Sequence, residues 1–230
     1  MFIDPLYLLL LLPAALGLYA QARVQAAYER YSREPNKYGL TGVEIAERLI
    51  AYLGLQGLSL ELIPGYLTDH YDTRANALYL TEGIAASHSV TAMGIVAHEV
   101  LHAAQDLEGY PLMRVRSWLG ERLSRVPNIA FWAILLGLLF RSAAVVVVGA
   151  VIMIASVALG LTALPVERNA SGRALVALQE SGLADADDLQ GAESVLRSAA
   201  LTYVAGLVQY VGRLAFFGLL IAMALGFRGR

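Results

Sequence analysis

From Pro127 to Pro165 the chain is almost wholly apolar, and Arg141 is the single charged side chain in that stretch. As one straight helix the run would be roughly 55 to 60 Å long, about twice the hydrocarbon thickness of a bilayer. A helical hairpin turning near Arg141-Ser142 fits better, with "NIAFWAILLGLLF" as a short first arm and "AAVVVVGAVIMIASVALGLTAL" as a full second one. Such a hairpin returns the chain to the side of the membrane it left. Whatever follows Pro165 is then expected in the same compartment as residues 36 to 125.

Composition agrees with a membrane protein that carries one modest polar portion. Of its 230 residues, 57% are hydrophobic and 16% charged, which is more apolar and less charged than soluble domains usually are. A net charge of -2 offers no basic stripe to neutralise phosphates, so nucleic acid is excluded as a partner. There is no cysteine, which excludes disulfides, thiolate metal sites and cysteine nucleophiles. Any metal must therefore sit on His, Asp or Glu.

The first apolar block, "PLYLLLLLPAALGLYA" (5 to 20), is expected to remain as a membrane helix continuing into "QARVQAAYERYSRE". A cleaved signal ending at Ala20 to Ala22 is the alternative. A signal carries positive charge ahead of its apolar stretch, however, and here Asp4 is the only charge. "TGVEIAERLIAYLGL" opens with Thr41 and has Glu44 three places on, a capping box. Its Ile45, Leu49, Ile50 and Leu53 fall on one face of a helix. "LSLEL", "YLTDHY" and "ALYLT" read as three short strands in a meander, with Asp72 to Asn76 as a turn. "LMRVRSWLGERLSRV" reads as a basic amphipathic helix at the bilayer surface. The last helix is expected from about Val195 to Phe227.

The stretch "VAHEVLHAAQ" carries the chemistry. Histidines at i and i+4 lie about 40° apart on a helix, so His98 and His102 can face one metal ion. Glu99 projects beside them, placed to act on a metal-bound water without ligating the ion. Val90, Met93, Ala97, Val100, Leu101 and Ala104 lie mostly on the opposite face, which leaves the polar triad a side of its own. A catalytic zinc takes three protein ligands and keeps one position for water. No histidine follows His102, since His70 and His88 both precede it, so the third ligand is expected to be a carboxylate. Glu167, just past Pro165, is favoured by topology, with Glu180 in reserve; Asp106 and Glu108 are too close along the helix to swing round.

"VAHEVLHAAQ" followed by apolar spans and "LPVERNASGRAL" resembles the bacterial membrane zinc metallopeptidases of the YugP type. These are similar in outline to the integral-membrane gluzincins. The resemblance extends to "GYLTDHYDTRANALYLTE" and "ALTYVAGLVQY", nearly the whole chain. It implies that His98, His102 and Glu167 bind zinc and that Glu99 is the catalytic base. Two departures stand out. Leu101 occupies a position often held by glycine, which should tighten packing. Ser171 stands where one branch places an aspartate that supports a zinc histidine, so that support is expected from another group.

The fold expected is a mainly α membrane protein with about four transmembrane helices and a zincin-like α+β domain bearing a small β-meander. Its segments are an N-terminal helix and extension (1 to 34), the zincin-like domain (35 to 125), a membrane hairpin (126 to 164), a helix with the third ligand (165 to 192) and a C-terminal membrane helix (193 to 230). The function expected is zinc-dependent hydrolysis of peptide bonds at the membrane surface, with peptide or membrane-protein substrates. His70 and Tyr203 are candidates to stabilise the transition state, although a turn residue and a core tyrosine are the plainer readings. The rivals are an intramembrane-cleaving zinc protease and a membrane scaffold or adaptor with a structural zinc; homo-oligomerisation stays open. No Asp-Gly pair follows the motif as the intramembrane type would require. Arg23, Arg30, Arg33, Arg114, Arg116, Arg122 and Arg125 flank the spans on the motif's side, against Arg141, Arg228 and Arg230 on the other. That bias puts the site on the cytoplasmic face of the cell membrane.

Overall fold

A computed structural model describes residues 5–123 and 127–226. Asp4, Arg125, Phe227, Arg228 and Arg230 lie outside the described residues. In chain order the elements are α1 (Pro5–Tyr31), α2 (Gly42–Leu53), β1 (Ser59–Ile63), β2 (His70–Asp72), β3 (Ala77–Thr81), α3 (Glu82–Ala86), α4 (Val90–Leu107), α5 (Pro111–Leu123), α6 (Pro127–Leu139), α7 (Ala143–Glu180) and α8 (Ala186–Gly226). They form two compact units. One holds Met1–Gln21, Val115–Leu164 and Thr202–Arg230; the other holds Ala22–Arg114 and Pro165–Leu201.

The first unit is built from the apolar parts of α1, α6, α7 and α8. The helices α1, α7 and α8 are long and apolar enough to cross a membrane, and α6 is a shorter apolar helix. At roughly 20 Å, α6 falls short of the hydrocarbon thickness. The turn between α6 and α7 lies where the charge pattern places it. Arg141 takes a left-handed φ of 55°, and the Ser142 N–H donates to the Gly137 carbonyl at 2.8 Å. Close helix contact rests on missing side chains. A Cβ on Gly149 would lie 3.0 Å from the Ala130 carbonyl oxygen, and one on Gly212 would meet the Leu9 carbonyl and lie 2.8 Å from Pro13. Small residues at such crossings let backbones approach, the usual way helices pack in lipid. Leu12, Leu18, Val147 and Val151 stay at least 60% exposed. A face so apolar is stable against hydrocarbon rather than water.

The second unit has one core, in which Ile45, Leu49, Leu78, Leu80, Met93, Val96 and Val100 are fully buried. Truncating any of these leucines to alanine costs about 2–5 kcal/mol. The α2 helix forms as its sequence dictates. The Thr41 hydroxyl accepts from the Glu44 N–H at 3.2 Å, and the Glu44 carboxylate accepts from the Thr41 N–H at 2.8 Å. Gly54, with φ 66°, ends it.

Three expectations are corrected here. The sheet is no meander, for its order is β1-β3-β2, with β1 parallel and β2 antiparallel to β3. The reason is burial. Ala77, Leu78 and Leu80 of β3 are fully buried, so β3 takes the centre, whereas β1 is largely exposed and suits an edge. Only His70 and Tyr71 of "YLTDHY" form strand, which continues to Asp72. Next, α7 runs unbroken through Pro165 instead of restarting there. Proline removes one backbone donor, and Val166, Ala170 and Ala174 just beyond it are fully buried, a packing gain that offsets the lost bond. Finally, α8 starts at Ala186, well before Val195.

Candidate metal centre

The site forms where α4 meets the segment of α7 that follows Pro165. Ser89 caps α4, its hydroxyl accepting from the Ala92 N–H at 3.1 Å. Val90, Met93, Ala97, Val100, Leu101 and Ala104 are all buried in the core. That anchoring leaves His98 and His102 on one face, their ring centroids 4.6 Å apart. Glu167 lies 1% exposed, and its Oε2 stands 3.0 Å from His98 Nε2 and 3.6 Å from His102 Nε2. One ligand atom from each of the three residues lies within 4.8 Å of the others.

Two imidazole nitrogens and a carboxylate oxygen are a donor set that zinc accepts. At bond lengths of 2.0 to 2.2 Å, tetrahedral ligand atoms stand about 3.4 Å apart. The two histidine-to-carboxylate separations bracket that value. The residues present fit the ion.

Supporting contacts surround the three. His102 Nδ1 lies 2.9 Å from Gln105 Oε1. Gln105 is fully buried, and its amide nitrogen donates to the Val166 carbonyl at 3.1 Å and to Asn169 Oδ1 at 2.8 Å. His98 Nδ1 lies 3.2 Å from the Ser171 hydroxyl. The support expected from some other group thus comes from Ser171 itself, since a hydroxyl one turn beyond Glu167 still reaches the ring. The base candidate is held as well: the Tyr71 N–H of β2 donates to Glu99 Oε2 at 3.0 Å. The Tyr71 hydroxyl is 2.9 Å from Asp106 Oδ2. Burial and that carboxylate push the phenol far above its ordinary range, so it stays protonated and donates.

Residues 6–222 match a protein family described as "Putative neutral zinc metallopeptidase". The chain belongs to this family. It is also 36% identical, over 194 residues, to "Putative membrane protease YugP" of Bacillus subtilis (strain 168), an alignment covering 84% of this chain and 86% of that protein. No solved structure matches the chain. With family and donor set in agreement, zinc is the cofactor, and His98, His102 and Glu167 form the group able to hold it.

The other residues singled out from sequence sit elsewhere. His70 is exposed on β2, its Nδ1 2.8 Å from the Thr68 carbonyl and its ring stacked on Tyr79 at 5.0 Å. Asp69 Oδ1 accepts from the Thr81 N–H at 2.7 Å. His88 precedes α4, with Nδ1 2.6 Å from the Gly39 carbonyl. Tyr203 lies on α8 within the other unit. Glu180 pairs with the Tyr52 hydroxyl at 3.1 Å, and Glu108 with Arg173 at 2.5 and 2.7 Å. Sequence reasoning missed Gln105, Asn169 and Tyr71. Gln105 had a signal, being a polar residue three places after His102 on the same helical face. Tyr71 had none, because its main-chain N–H makes the contact.

Proposed function

We propose that this protein is a multi-pass membrane metalloendopeptidase that hydrolyses peptide bonds of peptide or membrane-protein substrates at the membrane surface. The observation that carries the reading is the convergence of Glu167 on the two histidines that flank Glu99 in sequence. Zinc held there would polarise the scissile carbonyl and bring the pKa of its water to about 7.

Glu99 is the base. Its carboxylate accepts the proton that the attacking water gives up as it adds to the peptide carbonyl. It then returns that proton to the amide nitrogen as the C–N bond breaks, so the enzyme ends each cycle unchanged. The Tyr71 N–H orients one carboxylate oxygen of Glu99. Ser171 and Gln105 hold the two imidazoles in place.

In the full reading the site belongs to a zincin-like domain of gluzincin type, and α6 and α7 count as a hairpin that brings the membrane helices to four. The arginines on the motif's side of the spans favour a cytoplasmic site in the cell membrane. Replacing Glu99 with Gln in the purified full chain tests the chemistry. Peptide hydrolysis should fall by at least about 100-fold, as expected for loss of a general base, with zinc content unchanged. Hydrolysis persisting at the wild-type rate would remove Glu99 from the mechanism.

A further inference from the structure

We infer that Gln105 is a positioning residue that selects the tautomer of His102, an inference that rests on the metal site proposed above. The orientation of a side-chain amide is set by its partners. One partner of the Gln105 nitrogen is the Val166 main-chain carbonyl at 3.1 Å, which can only accept. The amide nitrogen must therefore face Val166 and Asn169 Oδ1, and the amide oxygen must face His102 Nδ1 at 2.9 Å. That oxygen cannot donate, so His102 Nδ1 carries the ring proton. Nε2 is left with its lone pair, turned to the side where Glu167 Oε2 lies 3.6 Å away.

The other histidine is supported differently. His98 Nδ1 meets the Ser171 hydroxyl, a group that donates or accepts as it rotates and so selects no tautomer. Gln105 has a second effect through its anchor. Val166 is the residue before Glu167, so the same amide ties the helix of the histidines to the backbone that carries the carboxylate. Removing Gln105 takes away the buried acceptor that meets the ring proton at His102 Nδ1. Moving that proton to Nε2 puts it where a metal ligand needs its lone pair.

The test uses the full chain in detergent micelles. Zinc affinity is measured by competition with a chromophoric chelator for wild type, Gln105→Leu, Gln105→Glu and His98→Ala. Nitrogen-15 spectra of the metal-free, histidine-labelled protein read the tautomer directly, and thermal unfolding checks that each variant folds. Gln105→Leu should lose 10- to 100-fold in zinc affinity, the usual effect of removing a ligand's hydrogen-bond partner. Gln105→Glu keeps an acceptor at Nδ1 but loses the amide N–H bonds to Val166 and Asn169, so it should lose less than Gln105→Leu. The wild-type spectrum should show His102 protonated at Nδ1, independent of whether any variant folds. Wild-type affinity in Gln105→Leu, equal losses in both Gln105 variants, or a wild-type His102 protonated at Nε2 would each overturn the inference while leaving the metal site. Undiminished zinc binding in His98→Ala would overturn the metal site and the inference together.

Discussion

Glu167 stands 3.0 Å from His98 although 69 positions separate them in the chain. Between them lie α5, α6 and the whole apolar first part of α7. The carboxylate reaches the motif because α7 continues unbroken past Pro165, and because fully buried Ala170 and Ala174 fasten that segment against the core. Glu167 thus sits within a helix and not on a loop.

Replacing Glu167 with Ala should therefore weaken zinc binding more than any change at Gln105, by over about 100-fold, since it removes a ligand and not merely its support. Isothermal titration of the metal-free protein measures it. An affinity within tenfold of wild type would mean that another group completes the site.

Tyr71→Phe deletes the hydroxyl that donates to Asp106 and leaves the main-chain bond to Glu99 in place. The loss should cost about 1.5–3 kcal/mol of stability, typical of one hydrogen bond to a charged acceptor. Looser tethering of β2 should lower kcat with little change in zinc content. A thermal midpoint and kcat both equal to wild type would show that the Tyr71 hydroxyl plays no part in holding β2 against the base.

The Glu108–Arg173 pair gives a pH dependence. The hydrogen bond from Arg173 holds the Glu108 carboxyl below its ordinary value. Because the folded-state pKa is the lower one, the stability it contributes is present above the unfolded value of about 4.3 and is lost as pH falls through the folded value. Glu108 is about half exposed, so the contribution is under about 1 kcal/mol. Thermal midpoints of wild type and Glu108→Gln should differ at pH 6 and converge below about pH 4. A gap that is unchanged down to pH 3 would contradict this.

What could be read from the sequence follows what is local. His98, His102 and the buried face opposite them are fixed by helical period alone, and the α2 cap by the Thr41–Glu44 spacing. The turn at Arg141 is legible because a lone charge interrupts a run too long for one span. The order of the strands is not legible. It depends on β3 being buried, which only the packed α2 and α4 decide. Nor could the sequence announce that Pro165 lies inside a helix, because the packing that offsets its missing donor comes from residues distant in the chain. The support from Ser171 is not legible either, because whether a hydroxyl reaches the His98 ring depends on how close α7 lies to α4.

The central claim is that one zinc ion is held by His98, His102 and Glu167 together. Anomalous diffraction at the zinc edge from crystals of the zinc-loaded full chain tests it most directly. The expected result is a single peak about 2.0 to 2.2 Å from both imidazole Nε2 atoms and from a Glu167 oxygen. A peak ligated by the histidines with Glu167 beyond bonding distance, or zinc bound elsewhere in the chain, would contradict it.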